Sequence, residues 1–73
     1  MSKFNSITDG MKISDTALNE SGYNYYGFIR ANGEWAIMRE NIAQTEYRYK
    51  IGGKDYNFSE RASGGYKVPV FNI

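Results

Sequence analysis

Side chains that do covalent chemistry are scarce in this chain. Of its 73 residues none is Cys and none is His. Without them neither a Ser-His-Asp nor a Cys-His nucleophile can be assembled. Disulfides and thiolate zinc sites are excluded, and most transition-metal sites lose their ligands. What remains is a set of carboxylates, one glycine-rich fragment, and aromatic residues interleaved with basic ones. Glu34 and Glu40 share one face of an expected strand, six positions apart. At about 3.3 Å per residue they stand roughly 20 Å apart, too far to flank one scissile bond. Both are read as solvated acids at strand ends. Asp9 and Asp15 lie in a polar stretch with no identifiable co-ligands. Gly52-Gly53-Lys54 resembles part of a phosphate loop, but the GxxxxGK[ST] spacing is missing and Asp55 stands where a hydroxyl belongs. The fragment is read as a turn. No cofactor and no enzymatic activity are expected.

Tyr47-Arg48-Tyr49-Lys50 joins the two residue types that hold single-stranded nucleic acid, stacking rings and backbone-tracking cations. Strand alternation, however, sends Arg48 and Lys50 to the face opposite both tyrosines, and Glu46 dilutes the charge. The formal net charge is only +1, so no overall field draws a polyanion. A small single-strand-binding β module is therefore the alternative reading rather than the first.

The elements that must position these residues are strands. Leu occurs once, whereas Ile and Tyr occur seven times each, Phe four times and Trp once. β-Branched and aromatic side chains favour a pleated surface. A chain of this length makes one small domain that buries only about 60% of its unfolded surface. No 18-residue apolar run is present to span a bilayer, and the first residues lack the apolar core of a secretory signal. Asn19-Glu20-Ser21 and Asn57-Phe58-Ser59 fit the glycosylation pattern and are read as coincidental.

Residues 1–22 read as a polar N-terminal arm with one short strand, carrying two lysines against three acids. Residues 23–73 read as an antiparallel β domain. Tyr23 to Ala31 and Glu34 to Glu40 flank Asn32-Gly33, which predicts a hairpin closed by a two-residue type I′ turn. That loop pairs Ile29 with Ala36, Phe28 with Ile37 and Tyr26 with Arg39. One face then carries Tyr23, Tyr25, Ile29, Ala31, Ala36 and Met38. The other carries Tyr26, Phe28, Arg30, Trp35, Ile37 and Arg39, each Arg opposite a ring. Thr45, Tyr47, Tyr49 and Ile51 alternate with Glu46, Arg48 and Lys50 in a third strand, joined by a short connection that makes a meander. Asn57-x-x-Glu60 predicts a capped helical turn, and Tyr66 to Phe71 a short edge strand limited by Pro69.

The expected fold class is all-β, a small antiparallel meander or sandwich-like module. Such a module has few segments with which to cover both apolar faces of its central hairpin. Tyr, Trp, Met and Arg are enriched at interfaces. The candidate contact residues are accordingly Tyr23, Tyr25, Tyr26, Phe28, Arg30, Trp35, Met38, Arg39, Tyr47 and Tyr49.

The block Tyr26-Gly27-Phe28-Ile29-Arg30, Asn32-Gly33-Glu34-Trp35-Ala36-Ile37-Met38-Arg39-Glu40 and Thr45-Glu46-Tyr47-Arg48-Tyr49, followed by Arg61-Ala62-Ser63 and Tyr66, resembles a pattern in small virion proteins of tailed bacteriophages. The resemblance covers about residues 23–66, and Phe58 stands where the pattern has Trp. It implies a non-enzymatic structural subunit of the tail, adaptor, fibre or capsid decoration. It also implies many copies per virion, docked on other virion proteins after synthesis in the bacterial host cytoplasm.

Overall fold

Four runs of alternating or β-branched residues pair in chain order. In a computed structural model, which describes residues 10–68, they are β1 (Lys12–Glu20), β2 (Tyr23–Ile29), β3 (Trp35–Asn41) and β4 (Tyr47–Gly52). They form one antiparallel sheet in the order β1-β2-β3-β4, the meander expected. A single 3-10 turn, Phe58–Glu60, follows. Its cap is Asn57, whose side-chain oxygen accepts from the Ser59 amide. No helix among the described residues is long and apolar enough to cross a membrane. The expected final strand reduces, among the described residues, to a bridge between Lys67 and Tyr49. Its continuation from Pro69 lies outside the described residues, as do Asp9 and the first part of the arm.

The central hairpin closes differently from the expectation. Ile29 pairs with Trp35, Phe28 with Ala36, Gly27 with Ile37 and Tyr26 with Met38, one residue away from the two-residue-loop register. The loop has three residues, Ala31-Asn32-Gly33. The Arg30 amide donates to the Glu34 carbonyl at 2.8 Å, and the Gly33 amide to the Arg30 carbonyl at 2.9 Å. Gly33 takes the positive φ, +96°, whereas the Asn32 side chain accepts from the Glu34 amide at 3.0 Å. A turn followed by a left-handed glycine is the three-residue solution for hairpins. The pair of positive φ values that a type I′ turn needs occurs instead at Ser21 (52°) and Gly22 (88°), between the partners Glu20 and Tyr23.

A one-residue slip exchanges the faces of a strand. Trp35, Ile37 and Arg39 therefore join Tyr23, Tyr25 and Ile29, and Ala36 and Met38 join Tyr26 and Phe28. β1 lies within the stretch expected to be an arm and has nine residues. Its register is broken twice, between Ile13 and Asp15 and between Ala17 and Glu20. These bulges bring Lys12, Asp15, Ala17 and Glu20 to one face despite their uneven spacing.

The chain after β4 crosses that face. The Trp35 ring lies against Gly52, where an added Cβ would meet it at 2.5 Å, and its indole N–H donates to the Lys54 carbonyl at 2.6 Å. Tyr56 packs tilted on Trp35, with centroids 6.0 Å apart, and donates its hydroxyl to Asp15 at 2.6 Å. Arg61 bonds both carboxylate oxygens of Glu20 at 2.8 Å and stacks on Phe58. Tyr66 reaches Tyr25, centroids 6.3 Å apart. Beneath this cover Tyr25 is 4% exposed and Ile37 1%. Burying side chains of this size stabilises a fold by about 1.5–3 kcal/mol each.

Candidate docking face

The sheet has a covered face and a second one. Register places Ile13 and Thr16 of β1, Asn24, Tyr26 and Phe28 of β2, Ala36, Met38 and Glu40 of β3, and Tyr47, Tyr49 and Ile51 of β4 on the second face. The crossing segment contacts the opposite side throughout, through Tyr56, Phe58, Arg61 and Tyr66. Among the described residues, none of these contacts reaches the second face. Ile13 is 60% exposed and Ile51 62%, whereas Phe28, Met38 and Tyr49 are half-buried. Ala36 is fully buried between its pairing partners Phe28 and Ile51.

The candidate contact residues divide between the two faces. Tyr26, Phe28, Met38, Tyr47 and Tyr49 lie on the second face. Tyr23, Tyr25, Trp35 and Arg39 lie on the covered one. The guanidinium of Arg39 is held between the rings of Tyr23 and Tyr66, 4.6 Å from each centroid, rather than opposite Tyr26. Arg30 is at the hairpin loop, its Nε 2.9 Å from the Glu34 carboxylate. That contact is one of charge, since its angle makes no hydrogen bond. Lys50 donates to the Glu60 carbonyl and the Ser63 hydroxyl, and Arg48 to the Tyr47 carbonyl. The expected separation of Arg48 and Lys50 from the two tyrosines is therefore present.

Two features of the second face differ from the sequence reading. Ile13 and Ile51 are its most exposed apolar members, yet the bulges of β1 hide the periodicity that would mark Ile13. The other is Glu40, expected to be a solvated acid and only 5% exposed. The Tyr26 hydroxyl and the Asn24 side-chain amide both donate to its Oε1 at 3.0 Å. Asn24 is itself held by the Asn19 amide, which donates to its side-chain oxygen at 2.7 Å. The hydrogen bond to Glu40 raises the pKa of Tyr26, with burial and the nearby negative charge adding to it. Tyr49 is raised by burial and by Tyr47 beside it.

Glu34 and Glu40 stand at opposite ends of β3, and the structure does not bring them together. Among the described residues no group of three or more acids assembles where a metal could bind. Gly52-Gly53-Lys54 forms the exit from β4 beneath Trp35. What the second face offers is contact area, about four strands wide and six residues long. With strands about 4.8 Å apart and a rise of about 3.3 Å, that is roughly 400 Å². Comparison with known protein families, with characterised proteins and with solved structures finds no match to this chain.

Proposed function

We propose that this chain is a non-enzymatic structural subunit of a bacteriophage virion, docked through the second face of its sheet on a larger assembly. One observation carries the reading. The segment after β4 folds over one face, while on the other Ile13 and Ile51 are largely exposed and Phe28, Met38 and Tyr49 half-buried. The largest apolar patch on a small protein is often its functional one. The virion assignment itself comes from the sequence pattern of residues 23–66.

A footprint of roughly 400 Å² is about half of what one partner contributes to a standard interface. A single copy therefore binds weakly, and repetition along a symmetric assembly supplies the strength. This favours a multi-copy tail, adaptor, fibre or decoration protein. The cations weigh against the nucleic-acid alternative. Arg39, Arg48 and Lys50 are on the covered face, engaged by rings or carbonyls, and the strand residues of the second face carry one charge, that of Glu40.

The test is mass spectrometry of purified particles, before and after a high-salt wash. The chain is expected in both samples, since apolar docking lacks the steep salt dependence of phosphate contacts. Its absence from particles, or salt-sensitive oligonucleotide binding by the isolated chain, contradicts the proposal.

A further inference from the structure

We infer that Glu40 receives a cationic side chain of the docking partner, an arginine or lysine flanked by apolar residues. The inference rests on the docking reading above. Glu40 is the one charged strand residue on the second face, and it is 5% exposed. The ion pairs among the described residues are Arg30 with Glu34 and Arg61 with Glu20, so none of them neutralises it. A carboxylate removed from water needs hydrogen bonds and, better, an opposite charge. Asn24 and Tyr26 supply two neutral donors, both to Oε1. A carboxylate has about four acceptor positions. Among the described residues no side chain donates to Oε2.

Aromatic rings flank the position. Tyr47 pairs directly with Glu40 across β3 and β4 and is exposed, and Tyr26 is on the neighbouring strand. A cation that approaches Glu40 comes beside the exposed ring of Tyr47, and an aromatic neighbour favours guanidinium or ammonium over a neutral donor. An apolar partner surface closing over Phe28, Met38 and Ile51 would exclude water and strengthen the pairing. The apolar residues thus provide contact area, and Glu40 fixes which partner segment enters and in what register.

The experiment is selection from a yeast-displayed random peptide library against three immobilised proteins: wild type, Glu40→Gln and Ile51→Asn. Gln keeps a carbonyl oxygen to accept from Tyr26 and Asn24, and its folding is checked by circular dichroism. Wild type is expected to select apolar peptides sharing one Arg or Lys. Glu40→Gln is expected to keep the apolar preference, lose the basic one, and bind the wild-type peptides at least about tenfold more weakly. Apolar peptides with no shared basic position, or equal binding by Glu40→Gln, overturn the inference and leave the docking reading standing. Identical selections by wild type and Ile51→Asn, or no selection at all, overturn both.

Discussion

Gly27 shows how closely the covered face is fitted. A Cβ at this position would run into the Tyr56 hydroxyl and the Phe58 ring, both of which lie over β2. Gly27→Ala is expected to lower stability by about 1–3 kcal/mol, as overpacking does. Urea denaturation measures this, and an unchanged midpoint would mean that Tyr56 and Phe58 do not lie there. The hydrogen bond from Arg61 holds the Glu20 carboxyl below its ordinary pKa of 4.5, with the guanidinium charge adding to it against a burial cost. A depressed carboxylate stabilises the fold above its unfolded pKa and loses that contribution as pH falls through the folded value. Glu20→Gln should therefore lower the melting temperature at neutral pH and match wild type in acid, well below pH 4.5. A difference that persists in acid would show that the pair acts through packing alone. The tyrosines work in the opposite sense. Burial raises Tyr66 to about 12, and burial with the Asp15 hydrogen bond raises Tyr56 further. Their contribution is complete below the ordinary phenol pKa of 10 and is lost as pH rises through the folded values. The phenolate absorbance of Tyr56 and Tyr66 should appear together with unfolding above pH 10. Ionisation of all seven tyrosines near pH 10 with the fold intact would contradict this.

At the scale of elements, the turns decide which side chains share a face. The strands of the hairpin and the 45–51 region were legible because their residues are β-branched, aromatic and alternating. The register was not. Asn32-Gly33 is the strongest two-residue hairpin signal in the chain, yet Asn32 spends its side chain on the Glu34 amide and leaves the positive φ to Gly33 alone. The loop gains one residue, and every side chain of β3 changes face relative to β2. Composition does not distinguish these two turns, since both use Asn before Gly. β1 was legible only as a short strand in a polar arm because its two bulges break the period of two. Glu40 was hidden by the hairpin register, since only the observed pairing of β2 with β3 puts Asn24 opposite it and Tyr26 beside it. Gly33→Ala tests the three-residue loop. Its φ of 96° is strained for any residue with a Cβ, and a loss of about 1 kcal/mol or more is expected in thermal melts. A two-residue loop would place that cost equally at Asn32, so an Asn32→Gly variant that stabilises the protein would contradict the observed register.

At the scale of the molecule, one sheet faces two environments. The covered side holds Tyr25 and Ile37 under the segment from Trp35's partner Lys54 to Tyr66, and substitutions there act on folding. Tyr25→Ala is thus expected to lose particle incorporation through instability, by about 3–5 kcal/mol for a large buried aromatic, and Trp35→Ala through a smaller loss, since Trp35 is only half-buried. The second side is the one on which folding and docking can be separated. Ile13 and Ile51 are largely exposed, so replacing them alters stability little while removing apolar area from the contact. The most direct test is the copy number per particle of wild type, the Ile13→Asn/Ile51→Asn double variant and the control Lys54→Gln, each shown to be folded by its melting curve. The account predicts full occupancy for wild type and control and loss of the double variant. Wild-type occupancy by a folded double variant would contradict it.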